Sequence, residues 1–315
     1  MDSLRGCGIM RRTDSAQGLR ASVSSPAMRP HYGGQALVEG VLIRGTNRWA
    51  MALRRPDGEL HLDAGHISPA SGLWRRPFMR GLHTLASTFR VGWMALIQSS
   101  QMESIGEIRP LPRFFLAWLV GVSVVIGLVV FALIPLLLTG RPAGVEPDLP
   151  ARLAEGGVKS SFLAVYVLGV TRMSRFRRLF SYHGAEHMAI ACSEAGLPLT
   201  RENVARFNPA HPRCGTGFLV ILASVDTLLL ALLPRFGEIP DMALRIGFLP
   251  VTAAVAYELL RWGARQQGIG SALTRFGLLT QRLTTARPDV GQIDVAIAAL
   301  RLCQNDGSRA VAVPA

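Results

Sequence analysis

The stretch FFLAWLVGVSVVIGLVVFALIPLLLTG (residues 114–140) contains 27 residues and no charged side chain. About 20 apolar residues in a helix cross the roughly 30 Å hydrocarbon core of a bilayer, so this stretch predicts a transmembrane helix. The whole chain agrees, since 49% of its 315 residues are hydrophobic and its mean hydropathy is +0.29. Soluble folds rarely have this composition. We therefore expect a mainly α-helical, polytopic membrane protein.

Three weaker apolar stretches follow the first one. The earliest is short and the other two each contain charged residues, so each could instead form a buried core helix. These stretches are SSFLAVYVLGVTRM (160–173), GFLVILASVDTLLLALLP (217–234) and MALRIGFLPVTAAVAYELL (242–260).

The basic residues favour membrane spans for these stretches. Of the 34 lysine and arginine residues, fifteen lie in residues 1–113, seven in 172–216, seven in 261–315 and five in the two remaining connections with their margins. Cytoplasmic loops of membrane proteins contain such an excess of basic residues. The distribution predicts about four transmembrane helices within residues 109–265, a cytoplasmic loop at 174–216, and both termini in the cytoplasm.

The net charge of +13 predicts an anionic partner. Anionic lipid headgroups are the first expectation, with the ribosome or a membrane-insertion machinery as an alternative and no DNA.

The four cysteines lie far apart without a Cys-x-x-Cys pair, which indicates neither a disulfide framework nor a zinc ribbon. Residues 1–30 have no apolar run of a secretory signal and are interpreted as a disordered arm.

A small β-hairpin unit is predicted for residues 31–72, on the cytoplasmic side. GGQALVEGVLIRG and WAMALRRPDGELHLD are short runs rich in strand-forming residues, and the second contains a Pro-Asp-Gly turn. In residues 73–108, five apolar residues fall on one helical stripe, which favours an amphipathic helix in the membrane interface or a helix packed on the β unit. The five are Leu82, Leu85, Phe89, Trp93 and Leu96.

A cytoplasmic helical tail is predicted for residues 266–303, followed by a frayed C-terminus at 304–315. Asp289 with Gln292 three residues later fits a capping box, and Ile293, Ile297 and Leu300 give the following helix one apolar face.

The sequence SYHGAEHMAIACSE places His183 and His187 one helical turn apart, with Glu186 on the adjoining flank. Two imidazoles at this spacing can bind one Zn²⁺. The pattern His-x-x-Glu-His is also one in which two histidines bind zinc and the glutamate takes a proton from water. We therefore predict a divalent metal site with zinc as the expected ion, and Glu186 as general base or as a residue that orients an imidazole.

A catalytic zinc needs a third protein ligand, and His211 and Cys214 in NPAHPRCGTG are the nearest candidates.

Two other polar residues stand in apolar surroundings. Glu39 is interpreted as the outward member of a strand or as a residue that reaches the site. Asp226 lies within an apolar stretch, where a charge needs a partner. We expect it to tether two helices by pairing with Arg245, with proton relay as the alternative.

Five blocks of sequence, in order from Tyr32 to Leu300, resemble the YqhQ family of bacterial membrane proteins. They are YGGQALVEGVLIRG, YHGAEHMAIACSE, LTRENVARFNPAHPRCGTGFL, YELLRW and QRLTTARPDVGQIDVAIAAL. The resemblance implies an integral protein of the bacterial cytoplasmic (inner) membrane and a metal-dependent enzyme without an established substrate. Met188 stands where the family commonly has lysine, and Gly217 where it commonly has serine. Neither position is a proposed ligand.

The sequence leaves three functions open. The first is a metal-dependent hydrolase that acts on an ester, amide or phosphate linkage near the membrane. The second is a non-catalytic scaffold in which a four-ligand metal staples two loops. The third, ion transport, needs polar groups along a path through the spans, and the sequence offers few besides Asp226.

Overall fold

The alternating apolar residues before residue 114 form a four-stranded antiparallel sheet with the order β1-β2-β3-β4. The computed structural model describes residues 32–105, 112–139, 149–212, 214–232, 238–263 and 269–305. The expected disordered arm (1–30) and most of the expected frayed C-terminus lie outside these ranges.

The strands are β1 (Gly33–Leu37), β2 (Gly40–Arg44), β3 (Arg48–Arg54) and β4 (Leu60–His66). The helices are α1 (Met79–Ile105), α2 (Arg113–Leu128), α3 (Ile134–Thr139), α4 (Leu149–Thr171), α5 (Ser174–Glu194), α6 (Arg201–Val204), α7 (Gly215–Ala231), α8 (Glu238–Gly263), α9 (Ile269–Thr284) and α10 (Val290–Gln304).

The predicted Pro-Asp-Gly turn joins β3 to β4. Gly58 has a φ of +91°, a conformation that favours glycine, and the Asp57 side chain accepts a hydrogen bond from the N–H of Glu59 at 2.9 Å. The composition of the turn therefore predicts its position correctly.

Both faces of the sheet are covered by helices. Val41 and Ile43 belong to the apolar core formed with α5 and α10, whereas Leu42 and Met51 belong to a second core with α1. Adjacent residues of a strand point to opposite faces, so this alternation makes the sheet the middle layer of a sandwich.

The C-terminal helix α10 is part of the first core. The predicted capping box is confirmed, because Asp289 accepts from the N–H of Gln292 and the Gln292 side chain accepts from the N–H of Asp289. Val295, Ala296 and Leu300 are fully buried against the sheet and α5.

Helix α1 packs on the opposite face of the sheet, which is one of the two arrangements that the sequence left open. Ala95 and Met102 are buried in this contact. The helix approaches β1 closely at Gly92, where a Cβ would lie 2.1 Å from the side-chain oxygen of Gln35. Phe89 of the predicted stripe is 59% exposed and stacks on Trp93.

Three helices in the described ranges are long and apolar enough to cross a membrane: Phe114–Phe131, Leu153–Thr171 and Pro240–Gly263. The stretch predicted as the third of four spans forms the apolar helix α7, whose 17 residues extend about 25 Å at 1.5 Å per residue.

The first of these helices continues from α2 into α3 through a π-helical turn at Val129–Leu133. Pro135 follows this turn, and a proline inside a helix lacks the N–H and clashes with the carbonyl four residues earlier. The wider π turn accommodates this defect without ending the helix.

Two ion pairs, each between a buried acid and a partly buried base, connect the apolar helices. Lys159 of α4 pairs with Asp226 of α7, and Arg245 of α8 pairs with Glu155 of α4. The predicted pairing of Asp226 with Arg245 is therefore wrong, although Asp226 does tether two helices. The reason is the close approach of α4 to α7: a Cβ at Gly156 would lie 2.0 Å from the side chain of Thr227, next to Asp226.

We expect Asp226→Asn to lower the free energy of unfolding by about 3 kcal/mol, because removal of one partner leaves a buried charge uncompensated. The measurement is chemical unfolding of the protein in detergent. The double variant Lys159→Met/Asp226→Leu, which removes both charges, should recover most of the loss. An Asp226→Asn protein as stable as the wild type would contradict the importance of the pair.

Candidate metal centre

Helix α5 carries both histidines of the predicted site. It begins at Ser174, directly after α4 ends at Thr171, and runs to Glu194. The imidazole rings of His183 and His187 lie on one face of the helix with centroids 4.3 Å apart. The predicted helical spacing is therefore present in the structure.

Cys214 lies beside the two histidines, although it is 27 residues beyond His187 in the chain. Its Sγ is 3.2 Å from Nε2 of His183. The ligand atoms of His183, His187 and Cys214 all lie within 4.8 Å of one another. Ligands at about 2.1–2.3 Å from a tetrahedral zinc ion are roughly 3.5 Å apart, so a small contraction of this group would suit zinc.

The start of α7 stabilises the sulfur of Cys214. Burial raises the pKa of this thiol, and hydrogen bonds to Thr216 oppose the shift. The Thr216 N–H donates to Sγ at 3.4 Å, and the Thr216 hydroxyl lies 3.2 Å from it. Donors of this kind at a helix N-terminus favour the thiolate, which is the form that binds a metal.

Two backbone carbonyls fix the orientation of the imidazoles. Nδ1 of His183 donates to the carbonyl of Thr284 at 2.8 Å, and Nδ1 of His187 donates to that of Pro209 at 2.5 Å. A carbonyl can only accept, so Nδ1 of each ring carries a proton, and in the neutral form of the ring the lone pair is on Nε2. Burial lowers the pKa of His187 to about 3, which keeps this ring neutral. Histidines that bind metals typically have such a partner on the other ring nitrogen.

Glu186 is buried between the two histidines. Its Oε2 lies 3.7 Å from Nε2 of His187 and 4.0 Å from Nε2 of His183. Burial raises the pKa of this carboxyl to about 8, despite the opposing effect of His183. Among the described residues, Oε2 has no hydrogen-bond partner. A buried carboxylate oxygen without a partner fits a metal ion and its water in the adjacent space.

His211 is close to this group but is not one of the three residues whose ligand atoms converge. Its ring lies 5.7 Å from that of His187, and its Nε2 is 3.3 Å from Oε2 of Glu194. The side chain of Gln281 holds the backbone of His211, since its Oε1 accepts from the N–H and its Nε2 donates to the carbonyl.

Two glycines allow the surrounding segments to approach the site. A Cβ at Gly184 would lie 2.1 Å from the carbonyl oxygen of Ala286 and 3.2 Å from Pro209. A Cβ at Gly34 of β1 would lie 2.7 Å from the side chain of Glu186. Both positions therefore require the absence of a side chain.

Glu39 lies in the turn between β1 and β2 and outside the metal group. It pairs with Arg178 and accepts from the hydroxyl of Tyr182 at 3.1 Å. Its φ of +52° is unusual for a residue other than glycine. These contacts with α5 compensate the strain and hold the turn against the helix.

Comparisons with known proteins give the family of this chain. A family profile described as "Protein of unknown function (DUF1385)" matches residues 76–306. The chain belongs to the DUF1385 family. It is also 29% identical to the uncharacterized protein YqhQ of Bacillus subtilis (strain 168) over 297 residues, which cover 87% of this chain and 92% of the relative. No solved structure shows a significant match. The resemblance to the YqhQ family is thus confirmed.

Several residues that support the site in this DUF1385 chain were missed by sequence reasoning. Gly184 sits inside a helix that otherwise has good helix formers, so it carried a local signal. Gln281 lies on the polar side of α9, beside Thr274 and Gly277, and carried no such signal. The carbonyls of Pro209 and Thr284 carried none, because every residue has a carbonyl.

Proposed function

We propose that this DUF1385 protein is a zinc-dependent hydrolase at the cytoplasmic face of the bacterial inner membrane. The observation that carries the proposal is the convergence of His183, His187 and Cys214 around a buried carboxylate, Glu186, that has no partner in the described ranges.

The donor set favours zinc. A thiolate and two imidazoles suit Zn²⁺, whereas Mg²⁺ and Ca²⁺ prefer oxygen ligands. Catalytic zinc sites have three protein ligands and one open position, at which the ion binds a water molecule and lowers its pKa. A structural staple needs a fourth protein ligand, and in the part of the chain that the structure describes the converging group contains three.

Glu186 supplies the base. Its Oε2 is within 4.0 Å of both imidazole nitrogens that face the metal position, so it can accept a proton from a water molecule there. Burial raises its pKa to about 8, and a cation at the metal position would lower this pKa and favour the carboxylate that acts as base at neutral pH. The carboxyl formed when it accepts the proton can then return that proton to a leaving group. The supported reaction is therefore hydrolysis of an ester, amide or phosphate linkage.

We further propose that α7 crosses the membrane as a fourth, shorter span and that both termini are cytoplasmic. This places the metal group at the membrane surface, since Cys214 directly precedes α7 and α5 directly follows α4. The exposed Arg172, Arg175 and Arg177 at the junction of α4 and α5 would then contact anionic lipid headgroups.

The proposal predicts about one zinc ion per chain in the detergent-purified protein and its loss in His183→Ala, His187→Ala and Cys214→Ala. Elemental analysis measures the content, and His66→Ala is the control because His66 is exposed on β4.

Glu186→Gln should keep the metal and lower the hydrolysis of p-nitrophenyl acetate about 100-fold or more, as expected for loss of a general base.

A wild-type protein without metal, or a Glu186→Gln protein with metal and full activity, would contradict the hydrolase. The second of these results would instead favour a metal-stapled scaffold.

A further inference from the structure

Strand β1 is at the edge of the sheet, and its register shows which backbone groups point outward. Gln35 pairs with Leu42 and Leu37 pairs with Gly40 across a two-residue turn. The two residues that flank such a turn exchange hydrogen bonds with each other, and bonded and non-bonded residues then alternate along each strand. Leu37 and Gln35 therefore bond to β2, whereas the residues between and beyond them point their N–H and C=O away from it. The outward residues of β1 are therefore Gly34 and Ala36.

The bonds on the other side of β2 confirm this register. The carbonyl of Glu39 accepts from the N–H of Arg54, and the N–H of Gly45 donates to the carbonyl of Arg48, so the odd-numbered residues of this segment bond to β3. Its even-numbered residues consequently bond to β1, as the pairing of Leu42 requires.

The outward edge at Gly34 is open. Gly34 is exposed, and within the described ranges the backbone groups of Gly34 and Ala36 have no hydrogen-bond partner. Unpaired N–H and C=O groups along a strand edge are a template for another extended chain. A glycine in a strand often marks a close approach of a ligand or another backbone.

This open edge is next to the candidate metal centre. The side chain of Glu186 lies directly against Gly34, where it fills the place of a Cβ. Neighbouring strands are about 4.8 Å apart, so a strand added to β1 would lie about this far from Gly34, against which Glu186 packs.

We propose that the edge of β1 binds the substrate and that the substrate is a polypeptide in extended conformation. The inference rests on the proposed hydrolase function and names its substrate class. Alternating donors and acceptors at strand spacing match a polypeptide backbone, whereas a lipid or a phosphate ester offers no such ladder.

The reaction is then hydrolysis of a peptide bond. Water adds its oxygen to the carbonyl carbon, the C–N bond breaks, and the products are an amine and a carboxylic acid, which keeps the second proton of the water until it ionises. Glu186 accepts a proton from the water and passes it to the leaving nitrogen, so no further reactant is needed.

The test measures peptide binding by the zinc-loaded Glu186→Gln protein, with fluorescein-labelled, unstructured casein as the probe. Ala36→Pro, made in this background, removes an outward N–H that the sheet does not use, so the fold should tolerate it. We expect its Kd for casein, measured by fluorescence anisotropy, to rise at least tenfold, whereas Ala36→Ser keeps the N–H and the affinity.

Hydrogen exchange gives a second measurement that does not depend on a variant. Casein should slow exchange at the amides of Gly34 and Ala36. Unchanged affinity in Ala36→Pro, or unchanged exchange in β1, would overturn the peptide inference.

The two proposals can fail separately. If the wild-type protein hydrolyses p-nitrophenyl acetate but does not bind casein, the hydrolase stands and the peptide substrate is wrong. If casein protects β1 but Glu186→Gln with its metal retains wild-type hydrolysis, the edge binds peptides and the hydrolase is wrong.

Discussion

Replacing Gly184 with alanine is expected to lower the zinc affinity of the protein by about 10- to 100-fold, the usual effect of disturbing the residues that orient metal ligands. The new Cβ would lie 2.1 Å from the carbonyl oxygen of Ala286 and 3.2 Å from Pro209. Both segments must then move away from α5. They contain the carbonyls of Thr284 and Pro209 that orient His183 and His187, so one methyl group disturbs both imidazoles.

The measurement is zinc affinity by competition with a chelator, together with helix content by circular dichroism. Alanine is a better helix former than glycine by about 1 kcal/mol, so local propensity alone would stabilise α5. Gly157→Ala in α4 is the matched control, since a Cβ at Gly157 meets no atom within 4 Å. A folded Gly184→Ala protein with wild-type zinc affinity would show that the carbonyls do not position the ligands.

Gly34→Ala is expected to keep the metal but to lower hydrolysis of p-nitrophenyl acetate about 100-fold, because a displacement of about 1 Å in a reacting group can have this effect. A Cβ at Gly34 would lie 2.7 Å from Cγ and Oε1 of Glu186 and 2.6 Å from the carbonyl of Leu42. The contact with the carbonyl oxygen displaces β1 from β2 locally, and the side chain of Glu186 must also move. None of the three metal ligands supplies one of the three atoms nearest to this Cβ, so we expect the ligands to retain their geometry.

Gly33→Ala is the matched control, because it changes the neighbouring residue of β1 and its Cβ would meet no atom within 4 Å. Both variants are assayed for zinc content and for kcat with p-nitrophenyl acetate. If Gly34→Ala retained both zinc and full activity, Glu186 would not be the base that the proposal requires.

The chain predicts its local structure well. The Pro-Asp-Gly turn, the capping box at Asp289 and the helical spacing of His183 and His187 are all present. Each depends on interactions between residues no more than four positions apart, so their types and order determine the outcome. Helices that could span a membrane follow in the same way from runs of apolar residues.

Partners that are distant in the chain were harder to predict. Asp226 was expected to pair with Arg245 and pairs with Lys159 instead, because Gly156 lets α4 approach α7 at that depth. The sequence offered His211 and Cys214 equally as third ligand, and only the tertiary structure places Cys214 beside the pair.

The sequence by itself determined a mainly helical chain with helices long and apolar enough to span a membrane, a small sheet and two imidazoles on one face of a helix. The tertiary structure decided the rest: which sulfur converges with the histidines, which carbonyls orient them, and that an open strand edge lies against Glu186. The physical reason is that these features depend on how closely whole segments approach. The segments approach closely where a glycine has no side chain, at Gly34, Gly156 and Gly184. These glycines lie on elements that are far apart in the chain.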